Sequence, residues 1–137
     1  MRKDLPDTRP PPRTGIAAEH RGLESELFEL AHRLTDDRLG DAELTFAALR
    51  SRLLDHMALE EETMFPLLDG EPGATLRREH GVIRDLLAVT GAAIAAGNRG
   101  AGLAALGRLA VCVGEHSDRE DRILYPVVTS ATSALER

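Results

Sequence analysis

The chain has 137 residues, a formal net charge of −6, a hydrophobic content of 42% and an aromatic content of 3%. This length corresponds to one domain with a single core. The composition favours helices packed through aliphatic side chains over a β-sandwich. The negative charge argues against a nucleic-acid partner, which would need a basic surface. A single cysteine, Cys112, excludes an internal disulfide and a cysteine-based zinc site.

No segment of the sequence resembles a membrane span or a signal peptide. A membrane-spanning helix needs roughly 20 residues. The apolar run around Gly91 to Ala96 is far shorter than that. The N-terminal residues are charged and rich in proline rather than apolar. We therefore expect a cytoplasmic protein with no membrane partner.

The first elements in chain order are a proline-rich arm and two helices. Residues 1–13 contain four prolines and almost no apolar side chains, so we expect a flexible arm there, followed by one domain over residues 14–137. Thr14 is expected to cap a first helix that runs to about Leu39 and ends at Gly40. Asp41 is expected to cap the second helix.

Two further helices complete the prediction. Pro72 suits the start of the third helix, and a glycine-containing loop at residues 97–100 separates it from the fourth. Apolar residues recur every three or four positions in all four segments, as in helices that face a core. Short loops make successive helices antiparallel, so the predicted fold class is all-α, an up-and-down antiparallel four-helix bundle.

Two prolines lie inside apparent helices, at equivalent places in the two halves of the chain. Pro66 and Pro126 each follow a glutamate by six residues. Proline removes a backbone donor and clashes with the preceding turn. We therefore expect a kink or an early helix end at both.

A 60-residue repeat divides the bundle into two equivalent hairpins. Six ionisable residues fall on this repeat in pairs: His20 with His80, His56 with His116, and Glu60 with Glu120. Histidine and glutamate four residues apart lie on one helix face, about 40° from each other. Counting ~1.5 Å per residue from the two interhelical loops brings all six to within one helical turn of the same depth. The sequence thus predicts a common centre.

The chemistry of these six side chains predicts a metal site. Six ionisable groups buried without partners would each cost several kcal/mol, and a bound cation offsets that cost. Imidazole and carboxylate without thiolate suit iron, zinc or manganese. Two glutamates shared by four histidines fit two metals, with each metal receiving two imidazoles and both carboxylates bridging. We expect two iron ions; mononuclear occupancy, zinc and manganese are the alternatives.

The motif His…His-x3-Glu, present twice and followed by Phe65-Pro66 and Tyr125-Pro126, resembles the hemerythrin-like (HHE cation-binding) family over about residues 15–130. The resemblance implies a four-helix bundle with an oxo- or hydroxo-bridged non-haem diiron centre. The ligands carried onto this chain would be His20, His56, Glu60, His80, His116 and Glu120.

The chain departs from the oxygen-carrying members of that family at two places. Those proteins have a further histidine one turn from the histidine of the third helix, where this chain has Leu76 and Arg84. Their last carboxylate is an aspartate five residues after a histidine, whereas the repeat here selects Glu120 over Asp121. Glu24, one turn after His20, is a candidate seventh ligand.

Three functions use the same six ligands. The first is binding of O2, NO or peroxide for sensing, storage or delivery. The second is a catalase- or peroxidase-like enzyme that acts on hydrogen peroxide, for which the missing histidine leaves room. The third is an iron or zinc store whose metal mainly stabilises the fold.

Several other residues invite a functional interpretation that the pattern does not favour. His32 is expected on the surface, Cys112 as a small buried thiol, and Tyr125 in packing. Met64 and Leu124 should line an apolar pocket over the metals. Four acidic residues precede the histidines and are expected to be mostly solvated, with one or two of them supporting a histidine: Glu19, Asp55, Glu79 and Glu115.

Overall fold

The computed structural model of the chain describes residues 11–36 and 39–136, and within them the side chains of residues 18–36, 40–124 and 126–127. The described residues form four α-helices and one short 3-10 turn. These are α1 (Pro11–Thr35), α2 (Leu39–Thr63), the 3-10 turn (Phe65–Leu67), α3 (Glu71–Ala95) and α4 (Arg99–Glu136).

The helices form a closed ring. Each one packs against the next in sequence, and α1 also packs against α4. Because short connections join them, successive helices run antiparallel, and the predicted all-α four-helix bundle is confirmed. No helix in the described part of the chain is both long and apolar enough to cross a membrane.

The first interhelical connection lies earlier than predicted. Helix α1 begins at Pro11 rather than after Thr14, and proline is well tolerated in a first turn because its missing N–H has no intrahelical acceptor there. Helix α1 ends at Thr35, so the predicted end at Gly40 is wrong: Gly40 lies in the first turn of α2. Most of the predicted arm, residues 1–10, lies outside the described residues.

The acidic and proline signals near the other helix ends are partly confirmed. Asp41 lies in the first turn of α2, where a carboxylate interacts favourably with the helix dipole, and not at the cap position. Pro72 lies in the first turn of α3 as predicted, shortly after Gly70 with its positive φ of 67°.

The two repeated prolines behave differently. Helix α2 ends at Thr63 and the 3-10 turn contains Pro66, as predicted. Helix α4 instead passes through Pro126 and continues to Glu136, so an early end there is wrong. Pro126 and Arg122 are both exposed. Water can therefore satisfy the Arg122 carbonyl that the proline leaves without a donor.

The core consists of two apolar clusters with a polar layer between them. The larger cluster draws on all four helices and includes Leu30, Leu49, Leu87 and Leu109. The smaller one consists of Phe65, Leu76 and Leu124, with Met64, Leu68 and Ile123 packed against it. Along α3 the order is Leu76, His80, Ile83, which places the polar layer between the clusters.

The inward face of α2 ends with the helix. A three-four spacing continued from His56 and Glu60 would place Thr63 and Leu67 on that face, but both are exposed, because the helix ends at Thr63 and the 3-10 turn changes the direction of the chain. Met57, which does not fall on that spacing, is buried.

Candidate metal centre

The structure brings all six repeat-related side chains together. Five of them are buried, and His56 is close to buried, with 9% of its side chain exposed. The Nε2 atoms of His20 and His56 lie 3.0 Å apart although 36 residues separate them in sequence. The common centre that the repeat predicts is therefore present in the geometry.

The six side chains form two groups that overlap. In each group one donor atom per residue lies within 4.8 Å of all the others. The first group contains His20, His56, Glu60 and Glu120, and the second contains Glu60, His80, His116 and Glu120. Both glutamates belong to both groups. Each group can thus offer two imidazoles and two carboxylate oxygens to a cation.

The two glutamates bridge the hairpins. Glu120 of α4 has one oxygen 2.8 Å from Nε2 of His20 and the other 3.0 Å from Nε2 of His116. Glu60 of α2 lies 2.8 Å from Nε2 of His56 and 3.2 Å from Nε2 of His80. All four histidines therefore turn Nε2 toward the two carboxylates.

Three buried atoms of this centre have no hydrogen-bond partner among the described residues: Glu60 Oε1, Glu120 Oε1 and His80 Nε2. Glu60 Oε1 and His80 Nε2 are 3.2 Å apart, yet the angles do not form a hydrogen bond. Leaving such groups buried and unpaired costs on the order of 1–3 kcal/mol each. Imidazole nitrogen and carboxylate oxygen are common cation ligands. The residues present therefore fit a metal.

Each of the four histidines also contacts an outer carboxylate through Nδ1. Nδ1 of His80 lies 2.6 Å from Glu61, and Nδ1 of His20 lies 3.1 Å from Asp121; these contacts join the two hairpins. Within the hairpins, Nδ1 of His116 lies 2.7 Å from Glu79, and Nδ1 of His56 hydrogen bonds to Glu19. An imidazole that donates through Nδ1–H leaves Nε2 free to bind a cation.

These outer carboxylates obey the 60-residue repeat as strictly as the inner residues do. Glu19 corresponds to Glu79, and Glu61 corresponds to Asp121. One or two of the acidic residues that precede the histidines were expected to support a histidine, and Glu19 and Glu79 take that role. The contact of Glu61 with His80 was not predicted. The signal for Glu61 was its position beside Glu60, which matches that of Asp121 beside Glu120.

The charges around these side chains shift several pKa values. Burial lowers the pKa of His20, but its hydrogen bonds with Asp121 and Glu60 and the close carboxylate of Glu120 outweigh burial and raise the pKa to about 11. For His80 the balance is the same: the close carboxylates of Glu120 and Glu60 and the hydrogen bond with Glu61 outweigh burial and raise the pKa to about 9.

The carboxyl groups shift in the opposite direction. Burial raises the pKa of Glu120, but the hydrogen bond with His116 and the close imidazoles of His20 and His80 outweigh burial and hold the pKa far below its usual range. Burial also raises the pKa of Glu61, and hydrogen bonds from His80 and Arg84 reverse that effect and lower it. His20 and His80, whose pKa values are raised, therefore form ion pairs with Glu120 and Glu61, whose pKa values are lowered.

A small cavity lies inside the centre, and two clefts approach it from outside. The cavity has a volume of about 10 Å³ and is lined by all four histidines and by Glu60. This is about the space of one water molecule. The first cleft (Glu19, Leu23, Arg52, Asp55, His56, Leu59) has about 240 Å³, and the second cleft (Glu79, Val82, Cys112, Glu115, His116, Arg119) has about 110 Å³.

An apolar layer closes the centre on the side of the smaller cluster. The Phe65 ring lies 4.9 Å from the ring of His80. Leu76, one of the two residues one turn from His80, is fully buried, and Leu124 lies one turn beyond Glu120. Met64 is half-buried against this cluster. Met64 and Leu124 thus belong to one apolar cluster on this side of the centre, and a pocket over the metals lined by them stays a prediction.

The remaining candidates lie away from the centre. Glu24 is exposed and lines a groove with Leu27 and Phe28, so it does not join the ligand groups. Asp121 contacts the outer nitrogen of His20. His32 is exposed, as predicted. Cys112 is a half-buried free thiol in the second cleft, and the side chain of Tyr125 lies outside the described part of the chain.

A comparison with protein families agrees with this geometry. The family model for the Hemerythrin HHE cation binding domain matches residues 12–128. Because the match covers most of the chain, the chain belongs to this family of cation-binding domains, and its two groups of histidine and glutamate could hold a metal ion. Comparisons with curated proteins and with solved structures found no significant match.

Proposed function

We propose that the protein holds a non-haem diiron centre and binds O2 or a related small ligand, NO or peroxide, for sensing, storage or delivery. The proposed ligands are His20, His56, Glu60, His80, His116 and Glu120. The observation that carries the proposal is that the two ligand groups share both glutamates. Two cations held this way can each receive two imidazoles, with the carboxylates bridging.

The ligand types favour iron over a structural zinc ion. Structural zinc sites usually have four ligands in a closed tetrahedron, often with thiolates. The proposed site has six ligands, which is more than a tetrahedral zinc ion needs, and none of them is a thiolate. Imidazole with carboxylate is typical of non-haem iron. Bound iron would supply the redox chemistry and the site for the small ligand.

The protein residues around the centre suit a small uncharged ligand. Phe65, Leu76 and Leu124 exclude water from one side and offer no hydrogen-bonding group of their own side chains. An apolar wall of this kind accepts O2 or NO without the desolvation cost that a charged ligand would meet. Glu61 and Asp121 hold two of the histidines in place across the hairpins.

The test is anaerobic loading of the metal-free chain with iron(II), followed by O2 or NO. We expect two irons per chain and new charge-transfer absorption on exposure to either gas. The matched control is the loaded His56→Ala, His116→Ala double variant, which lacks one imidazole per metal and should lose the bands. A wild-type chain that binds two irons and stays spectrally silent would contradict gas binding. One zinc per chain after iron-replete expression would contradict the diiron centre itself.

Peroxide turnover is the second candidate, favoured by the residue at position 76. Leu76 cannot ligate a metal, so a coordination position beside His80 is left for a ligand. If the protein is catalase- or peroxidase-like, hydrogen peroxide should disappear faster than with the same amount of free iron. Leu76→His should then slow turnover by filling that position. Turnover no faster than free iron removes this candidate.

A further inference from the structure

We infer that the two metal positions are inequivalent, and that the position between His20 and His56 binds cations more tightly than the position between His80 and His116. The inference rests on the proposed two-metal centre and concerns two arginines outside the ligand set. We call the metal position between His20 and His56 the first position, and the metal position between His80 and His116 the second position.

Both outer carboxylates of the second position are neutralised by an arginine. Glu61, which contacts Nδ1 of His80, also accepts a hydrogen bond from Arg84 at 3.1 Å, and its other oxygen lies 3.0 Å from the same guanidinium nitrogen. Glu79, which contacts Nδ1 of His116, pairs with Arg119. Each carboxylate is therefore shared between an imidazole and a guanidinium.

Among the described residues, the outer carboxylates of the first position have no such partner. Glu19 contacts His56, and Asp121 contacts His20, and neither pairs with an arginine in the part of the chain that the structure describes. The two halves of the repeat differ at the arginine positions. Sixty residues before Arg84 and Arg119 the chain has Glu24 and Leu59.

The neutralising arginines affect cation binding in two ways that reinforce each other. A carboxylate that accepts only from the imidazole makes Nε2 a stronger electron donor, whereas an arginine on the same carboxylate weakens that effect. The two guanidinium groups also add positive charge near the second position. Solvent moderates both effects, because the side chains of Arg84 and Arg119 are partly exposed.

The first cleft shows that a side chain at position 59 lies close enough to Glu19 to change the cation affinity of the first position. Leu59 lines this cleft together with Glu19, as Arg119 lines the second cleft together with Glu79. Arg52 is also in the first cleft, but it pairs with Glu26 instead of Glu19. An arginine at position 59 would thus be placed to pair with Glu19.

The experiment compares chains that keep one position each. Two neighbouring cations repel each other, so even a symmetric centre would bind the second metal more weakly than the first. His116→Ala keeps the first position and His56→Ala keeps the second. We expect His116→Ala to bind cobalt(II) about tenfold more tightly than His56→Ala, measured by competition with a chromophoric chelator, since changes around ligand imidazoles alter affinity by ~10–100-fold. Equal affinities, or the reverse order, would overturn the inference.

Two reciprocal substitutions assign the difference to the arginines. Leu59→Arg in the His116→Ala chain should weaken cobalt binding, and Arg119→Leu in the His56→Ala chain should strengthen it, each by several-fold. Leu44→Arg is the matched control, because Leu44 is an exposed leucine of α2 and its substitution adds the same charge. At ~1.5 Å per residue, Leu44 lies about four helical turns from Leu59. If Leu44→Arg weakens binding as much as Leu59→Arg, the pairing with Glu19 is refuted.

Metal counts on the unmodified chain separate this inference from the proposed function. Fewer than two cobalt ions per wild-type chain would contradict the two-metal centre and the inference together. Two ions per wild-type chain, with equal affinities in the two single-position chains, would contradict the inference alone.

Discussion

Glu120 contacts three of the four histidines of the centre. It is fully buried, and its two oxygens lie within 3.0 Å of His20 and His116. No other described residue replaces it, because Asp121, the alternative that the family resemblance raised, faces the outer nitrogen of His20. The geometry therefore favours Glu120 over Asp121 as a proposed ligand, as the repeat does.

Glu120→Gln should reduce bound iron from two per chain to one or none. An amide is a poorer ligand for a hard cation than a carboxylate and cannot bridge two metals with the same charge. The measurement is iron per chain after loading and desalting. Glu115→Gln on the same helix is the control, since Glu115 is exposed and should leave two irons bound. Full loading of Glu120→Gln would mean that Glu120 is not a ligand.

The six proposed ligands could be predicted from sequence because each occurs at equivalent positions in both halves of the repeat. Their outer partners could be predicted only in part. Glu19 and Glu79 reach a histidine on the neighbouring helix, and that contact depends on how the helices pack. The ion pairs of Glu61 with Arg84 and of Glu79 with Arg119 could not be predicted from the repeat, because neither arginine has an arginine at the equivalent position of the other half.

At the scale of elements, the 3-10 turn is the main departure from two equal hairpins. It brings Phe65 into the core at 0% exposure, against Leu76 and Leu124. The corresponding stretch after Glu120 stays within α4. Sequence alone could not separate these outcomes, since both halves carry proline at the same place. Exposure does not separate them either, because Pro66 and Pro126 are both exposed.

Phe65→Ala should destabilise the fold by about 3–5 kcal/mol, because it removes a fully buried aromatic ring and leaves a cavity beside His80. Urea unfolding of the metal-loaded chain measures this change. Phe28→Ala is the matched control, because the Phe28 side chain is 70% exposed. Its loss should change stability by about 0.5 kcal/mol at most. Similar losses for both variants would contradict the assignment of Phe65 to the core.

A second element-scale prediction concerns the contact between α2 and α3. A Cβ added at Gly91 would lie 2.9 Å from Cε2 of Phe46, so Gly91→Ala requires the buried ring to move. We expect a loss of about 1–3 kcal/mol. A Cβ at Gly107 of α4 meets nothing within 4 Å. Gly107→Ala should instead gain about 0.5–1 kcal/mol from helix propensity, so thermal unfolding of the two variants should shift in opposite directions.

At the scale of the whole molecule, the polar layer links the stability of the bundle to metal. The layer separates two apolar clusters and contains three buried atoms without partners in the described residues. A cation that binds only the folded state stabilises it by mass action. Removal of metal should therefore destabilise the whole bundle.

The stability of the metal-free chain should depend on pH in a defined direction. His20 and His80 have pKa values raised to about 11 and about 9, above their ordinary 6.5. Their contribution to stability is fully present below pH 6.5 and is lost as the pH rises through about 9 and then about 11. Glu120 has a lowered pKa, so its contribution is present above its ordinary 4.5 and is lost only in acid.

Metal binding should show the opposite trend, because ligand imidazoles must release their protons. We therefore expect the difference in melting temperature between metal-loaded and chelator-treated protein to widen between pH 6.5 and 9. A change of about 1 kcal/mol shifts the melting temperature of a domain of this size by roughly 4 °C. Scanning calorimetry at both pH values measures the difference. A gap that narrows as pH rises would contradict the proton-for-metal exchange.

The contacts that cross between the hairpins also bear on how such a chain could have arisen. Asp121 reaches His20 and Glu61 reaches His80, so each half supports a histidine of the other by the same contact. A single hairpin of about half this length, paired with an identical copy, would form every one of these contacts by symmetry. In such an ancestor any substitution would appear on both sides of the centre. Only after duplication and fusion could an arginine occupy position 119 while leucine stayed at position 59.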